Sequence, residues 1–309
     1  MEHRRLGASG LDVSVLALGS WRTYERIPHE QGLEVMRAAR ELGIDFLDDA
    51  RYDDESGTAP IRTGYSEVVF GELFRAAGWR RDEVAVANKL WFEFWPEQSL
   101  AQELDASLGR MGLDNVDLIY ATWPPDGLGA EEIVDGVSGL IAAGKARVWG
   151  VVNWQPAFLQ EATRIATARG APVPCCAQLP YSLVSRSWVE GREEAAALSE
   201  AGAAVVASAV LASGALSGKY AEPGAVGRLA GNLAEPSVQQ ALALGPALQE
   251  LSTRYGTTPA ALAVAFALGG ERVASVLFGA TTADQVRENA RALDVPADAL
   301  AELRGLATG

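Results

Sequence analysis

A chain of 309 residues that is 49% hydrophobic has ample apolar material for a buried core, which excludes a disordered protein. Its formal net charge of −14 argues against a nucleic-acid surface or a polybasic membrane face. Two histidines, His3 and His29, are too few and too close to the N-terminus for a multi-histidine metal site or a Ser-His-Asp triad. Acid–base chemistry therefore falls to Tyr, Lys, Asp or Glu. The opening "MEHRRLGASG" has no long apolar run after its basic residues, and no stretch reaches about 18 charge-free apolar residues. Neither a cleavable leader nor a membrane span is expected. A disulfide between adjacent Cys175 and Cys176 would be strained, so reduced thiols in a cytoplasmic protein are expected.

Short apolar strands and amphipathic helices alternate along the whole chain. "RRLGASGLDVS" alternates around a Ser-Gly turn and predicts a small hairpin ahead of the first strand, "VSVLALG". The helix "EQGLEVMRAAREL" follows, with Val35, Met36, Ala39 and Leu42 on one face. Next come "GIDFLD" with "SEVVFGELFRAAG", and "EVAVANK" with "PEQSLAQELDASLGRMG". In that last helix Leu100, Leu104, Leu108 and Met111 form a stripe, with Pro96 near its start and Gly112 past its end. The fourth and fifth units are "VDLIYAT" with "EEIVDGVSGLIAAG" and "ARVWGVVN" with "PAFLQEATRIATARG". The sixth is "CCAQL" with "REEAAALSEAG", and the seventh "AAVVASAV" with helical material between 238 and 269. "VASVLFG" with "ADQVRENARAL" completes eight units.

Strands that are continuously apolar are those of a parallel sheet covered on both faces. Eight such units in this length predict one (β/α)8 TIM-barrel domain over 1–309, its floor closed by the N-terminal hairpin. A doubly wound sheet would want a Gly-rich dinucleotide fingerprint after the first strand, and "ALGSWRTYER" is not one. The loop at 221–237, rich in Gly, Ala and Pro, predicts a mobile excursion.

Chemistry in such barrels sits at the C-terminal ends of the strands. Those ends carry Ser20 and Trp21, Asp48 and Asp49, Lys89, Thr122, Asn153, Gln178, Ser208, and Gly279 with Thr281. A lysine ending an apolar strand needs a partner, and Asp48 ends the neighbouring one. An ammonium beside a phenol favours phenolate, so the pair is expected to ready the proton of a tyrosine such as Tyr52. The competing reading is a structural ion pair closing the top of the barrel. Trp21, Trp91, Trp95, Trp123 and Trp154 all follow strand ends and suggest an apolar pocket for a bulky ligand. The helix start "ATTADQVREN" offers free N–H groups suited to a phosphate, though ordinary capping would look the same. The acidic run "DDARYDDE" reads as a solvated loop with one buried carboxylate rather than a metal site.

Taken in order, these segments resemble the aldo-keto reductases over nearly the whole chain, closest to the branch that includes potassium-channel β-subunits. The resemblance is carried by "RRLGASGLDVSVLALGSW", "GYSEVVFGELF", "GLIAAGKARVWGVVNW", "LASGALSGKY" and "SVLFGATTADQVRENARAL". It implies a barrel that binds NADPH and reduces the carbonyl of a small molecule, a tyrosine supplying the proton. The family's aspartate and lysine match Asp48 and Lys89, its nicotinamide-amide ligands Asn153 and Gln178, and its pyrophosphate loop Leu211 to Ser213. Its "GKY" lysine matches Lys219, with Arg228 on the 2′-phosphate. The adenosine contacts match Gly279, Thr281, Gln285, Glu288 and Asn289. Ser20, Trp21 and Ser208 fall on the same cofactor face.

This chain also departs from the family pattern. The usual tyrosine position holds Asp53, so Tyr52 lies one place early and Tyr65 is its rival. Thr122 stands where histidine is usual, and is expected to position rather than to supply a cation. Ser208 replaces the aromatic residue that commonly stacks on the nicotinamide, with Trp21 or Trp154 to compensate. Three functions follow: a reductase of a bulky, fairly apolar aldehyde or ketone; a non-catalytic NADP(H)-binding regulatory subunit; or a non-redox enzyme on the same barrel.

Overall fold

The structure is a computed structural model that describes residues 1–55, 57–221, 229 and 236–306. Two short strands, β1 (His3–Arg5) and β2 (Asp12–Ser14), pair antiparallel. Eight more close a parallel barrel: β3 (Leu16–Gly19), β4 (Phe46–Asp48), β5 (Ala85–Leu90), β6 (Val116–Ala121), β7 (Ala146–Val152), β8 (Cys176–Pro180), β9 (Ala204–Ser208) and β10 (Val273–Gly279). Helices α1 (His29–Glu41), α2 (Tyr65–Ala76), α3 (Leu100–Met111), α4 (Ala130–Ala142) and α5 (Pro156–Arg169) each follow a strand. After β8 come α6 (Ser187–Glu190) and α7 (Arg192–Ala201). After β9 come α8 (Pro236–Ala243), α9 (Gly245–Arg254) and α10 (Pro259–Leu268). α11 (Ala283–Ala290) and α12 (Ala297–Leu306) follow β10.

The fold is the expected (β/α)8 barrel with its N-terminal hairpin. The run "VSVLALG" splits at Val15: its first half completes the hairpin and its second half enters the barrel. Pro96 lies outside α3, whose start is set by Ser99. The Ser99 hydroxyl accepts from the Gln102 N–H while Gln102 reaches back to the Ser99 N–H, a reciprocal capping box. Gly112 ends that helix with φ 67°, the left-handed turn that glycine adopts without penalty. α6 and α12 are additions to the expected elements. Most of the excursion expected at 221–237, Arg228 included, lies outside the described residues.

Strand alternation sorts the core into two layers. Leu47, Val86, Ile119, Val151 and Val205 face outward and pack under the helices. Phe46, Ala87, Leu118, Tyr120, Cys176 and Val206 face inward, and Leu6, Leu11 and Val13 of the hairpin segment pack against them from below. Cys175 and Cys176 are free and buried, their sulfurs 3.9 Å apart. Gly150 is the inward residue beside Tyr120. A Cβ there would lie 2.6 Å from the Cys176 carbonyl oxygen, 2.7 Å from Cys176 Sγ and 3.2 Å from Tyr120 Cδ1, so glycine makes room first for Cys176 on β8 and then for the fully buried Tyr120 ring. Gly150→Ala is therefore expected to lower stability by about 1–3 kcal/mol, the usual range for overpacking a dense core. Chemical denaturation checks this; an unchanged midpoint would mean that β8 has slack to move away from β7 at Cys176.

Candidate active site

Parallel register carries the inward residues of successive strands to one mouth. Asp48 on β4 is level with Ala87, and Lys89 on β5 with Tyr120 on β6. The Lys89 ammonium is ion-paired with Asp48 Oδ1, and Gln178 Nε2 donates to Asp48 Oδ2 at 2.9 Å. Lys89 Nζ also donates to the Tyr52 hydroxyl at 3.3 Å. It lies 5.8 Å from the ring centres of both Tyr52 and Tyr120, which flank it. Asp48 is 2% exposed and Lys89 4% exposed, so water does little to screen the pair.

The tyrosine beside the ammonium is thus Tyr52. Tyr65 opens α2 and packs, half-buried, against the outer apolar layer. The chain doubles back between them: Asp53 bridges Thr63, and the Gly64 N–H donates to the Tyr52 carbonyl at 2.9 Å. That small hairpin absorbs the extra residues of the loop. Lys89 does not leave Tyr52 acidic, contrary to expectation. Burial, then the Asp48 carboxylate, push the phenol well above the ordinary tyrosine range. Tyr52 stays protonated at neutral pH, as the proton-donor role expected from the sequence requires.

Thr122 is buried and its side chain turns to the end of the neighbouring strand, β5. Its hydroxyl donates to the Leu90 carbonyl at 2.8 Å, and its carbonyl accepts the Trp154 indole N–H at 2.7 Å. The side chain braces the β5–β6 edge. Trp154 is 3% exposed and packs on Phe158, with ring centres 4.5 Å apart, so it fills the wall behind the mouth rather than compensating for Ser208. Trp21 and Trp123 stay 45% and 50% exposed, and half-buried Trp91 meets the Tyr52 ring edge-on at 6.0 Å.

The remaining strand ends form the rest of the face. Exposed Asn153 has φ 54°, a conformation Asn tolerates better than most residues, and its N–H donates to the Gln178 carbonyl at 3.2 Å. The Gln178 amide is committed to Asp48 on its donor side. Ser208 ends β9 half-buried. After it the backbone is left-handed at Ala209, Ala212, Ser213, Gly214 and Gly218. Three of these are residues that rarely adopt such φ, and clustered strain of this kind marks ligand cradles. Leu211 lies within this loop; Lys219 follows it, exposed. At the last strand, Gly279 leads to Thr281, whose N–H donates to Gln285 Oε1 at 2.8 Å, and Thr282 caps α11. Glu288 is half-buried and Asn289 buried on the same helix. Ser20 is buried, its hydroxyl bonded to Asp49.

One buried network carries no expectation from the sequence. Glu67 on α2 pairs with Arg110 Nε at 2.5 Å and accepts from Asn88 Nδ2 at 2.9 Å. Asn88 Oδ1 in turn accepts the Lys89 N–H at 2.8 Å. Strand alternation would have placed Asn88 and Asp49 on the outer face, but the partner of Asn88 comes from α2 and that of Asp49, Ser20, from the end of β3.

The described residues contain no cluster of three or more His, Cys, Asp or Glu arranged to hold a metal, and no helix long and apolar enough to cross a membrane. Residues 15–306 match the model of the aldo/keto reductase family. The chain is 33% identical to a probable voltage-gated potassium channel subunit beta of Oryza sativa subsp. japonica, covering 96% of this chain and 92% of that one. A protein of the same description from Arabidopsis thaliana is 30% identical with the same coverage. The chain belongs to the aldo/keto reductase family.

Removing one member of a buried ion pair leaves the other unneutralised. Lys89→Met is expected to destabilise the fold by about 3 kcal/mol at pH 7, and adding Asp48→Asn to recover most of that loss. Denaturation of the two single variants and the double variant tests this. Additive losses would show that the pair is not coupled.

Proposed function

We propose that the protein is an NADPH-dependent reductase of a bulky, fairly apolar aldehyde or ketone. The observation that carries this reading is the buried ammonium of Lys89 held between the Asp48 carboxylate and the Tyr52 hydroxyl. Asp48 and Gln178 fix the position of the ammonium. Tyr52, held as a phenol, is placed to give its proton to a carbonyl oxygen at the mouth. Lys89 then stabilises the phenolate left behind, which offsets the field of the carboxylates at the moment of transfer. Bound NADPH would supply the hydride.

The left-handed backbone of 209–218 fits a pyrophosphate, and Asn153 stands exposed at a strand end where it can reach a nicotinamide amide. Lys219 and Arg228 would meet phosphate charge. Trp21, Gln178 and Ser208 would border the nicotinamide, whereas the Ser20 hydroxyl is turned away to Asp49; Gly279, Thr281, Gln285, Glu288 and Asn289 would border the adenosine. The exposed Trp21 and Trp123 rings and the half-buried Trp91 favour an apolar substrate over a small polar one. Cytoplasmic location agrees with the free thiols.

A second reading is a non-catalytic NADP(H)-binding regulatory subunit. It is favoured by the channel-subunit descriptions of the relatives and by the Thr122 hydroxyl, which is spent on Leu90. A non-redox enzyme on the same barrel would not need the strained 209–218 loop. The experiment is NADPH oxidation against a panel of aromatic and aliphatic aldehydes and ketones. Tyr52→Phe and Lys89→Met are each expected to lower kcat by about 100-fold or more while NADPH still binds. Tight NADPH binding without turnover on any carbonyl would favour the subunit reading, and no binding would favour the non-redox enzyme.

A further inference from the structure

Asp49 is adjacent to Asp48 in the chain but faces the opposite way, out through the barrel wall toward α2. It is 0% exposed. Its Oδ1 is hydrogen-bonded to the Ser20 hydroxyl, and its Oδ2 has no hydrogen-bond partner among the described residues. The nearby Glu67 carboxylate already takes the guanidinium of Arg110. A second full charge at Asp49 would be desolvated, half-unbonded and opposed by Glu67.

The surroundings of Asp49 show what it holds. Gly19 pairs with Asp48 at the end of the β3–β4 ladder, and the Ser20 N–H still donates to the Asp48 carbonyl at 3.0 Å. The Ser20–Asp49 side-chain bond extends that pairing one residue further, where the chain departs toward Tyr52. Every residue of the departure is tied down. The Asp49 N–H donates to the Ala87 carbonyl at 3.1 Å, and Ser66 Oγ donates to the Ala50 carbonyl at 2.8 Å. Arg51 donates to Thr63 Oγ1 at 2.9 Å, and Gly64 closes on Tyr52.

We propose that Asp49 is a positioning residue that works as an uncharged acid, pinning the 49–52 segment to the end of β3 and so setting Tyr52 against Lys89. The consequence for Tyr52 rests on the reductase reading; the protonation of Asp49 does not. An uncharged Asp49 also spares the phenol a second anion, since an ionised Asp49 would join Asp48 in making Tyr52 hold its proton more tightly. The groups facing Asp49 are Glu67 from α2, Lys89 through the wall from β5, Tyr24 from the turn before α1, and Tyr52. Burial, then Glu67, raise the Asp49 carboxyl well above the ordinary range; Ser20, the Ala50 N–H and Lys89 only partly oppose this.

The sign of the stability effect follows. An unfolded aspartate ionises near about pH 4, whereas the folded one keeps its proton to higher pH, so Asp49 weakens the fold progressively as pH rises through that window. The amide of Asp49→Asn does not titrate and has no such dependence. The test compares Asp49→Asn and Asp49→Ala with the parent in thermal unfolding from pH 4 to 8. The Tyr52 resonance is followed in protein labelled with 3-fluorotyrosine and assigned by its loss in Tyr52→Phe. The midpoint of Asp49→Asn is expected to move upward relative to the parent by several degrees between pH 4 and 8. Its Tyr52 resonance should stay near the parent position, whereas Asp49→Ala shifts or broadens it. On a carbonyl substrate, Asp49→Ala is expected to lose about tenfold in kcat, and Asp49→Asn to recover most of it.

A midpoint for Asp49→Asn that falls relative to the parent as pH rises would show a working carboxylate and overturn the proposal. So would an undisturbed Tyr52 resonance in Asp49→Ala. If the parent turned over no carbonyl, the reductase reading would fail, while the stability and fluorine measurements would still decide the protonation of Asp49 and its hold on Tyr52.

Discussion

A lysine ammonium taken out of water has to be neutralised, and Lys89 at the end of β5 is almost wholly taken out of water. Asp48 supplies the charge, and the rest of the mouth is arranged to keep these two groups in register. Gln178 takes the second oxygen of Asp48, so the carboxylate cannot rotate away. The Tyr120 ring lies below the ammonium, in room that Gly150 leaves it. Only the Tyr52 side remains for chemistry, and there the ammonium meets a phenol rather than a second carboxylate. Under the proposed function, a pair that would otherwise be a costly structural bridge becomes a device for stabilising a phenolate.

The same constraint reaches through the barrel wall. The peptide that carries Lys89 is held by Asn88, Asn88 by Glu67, and Glu67 by Arg110 of α3. The segment that carries Tyr52 is held by Ser20, Ser66 and Gly64. Polar groups behind the mouth thus position the two residues in front of it, and they do so on strands and helix ends rather than on loose loops. This fits a family whose barrel serves several roles. The wall sets the geometry of the residues at the mouth, Thr122 among them.

The barrel itself was legible in the sequence because parallel strands buried on both faces read as unbroken apolar runs, and "VASVLFG" became β10 without change. Asp48 and Lys89 were legible because a lysine ending an apolar strand needs a partner, and Asp48 ends the neighbouring strand at the end of the barrel where chemistry sits. The choice between Tyr52 and Tyr65 was not, since it depends on the Asp53–Thr63 bridge, a pairing within a loop that no periodicity announces. Trp154 looked like a rim residue by its place after β7, yet its indole turns back to the Thr122 carbonyl. The Glu67–Asn88–Arg110 network was hidden for a different reason. Its members are 21 and 43 residues apart, and only the packing of α2 and α3 brings them together.

The central claim is that Lys89 and Tyr52 act as one unit. The most direct measurement is a kinetic double-mutant cycle on carbonyl reduction with Lys89→Met, Tyr52→Phe and the double variant, each at saturating NADPH. If the ammonium works only through the phenol, the double variant should lose no more than about twofold beyond the worse single variant. Losses that multiply would show that the two residues act independently, and would contradict the account.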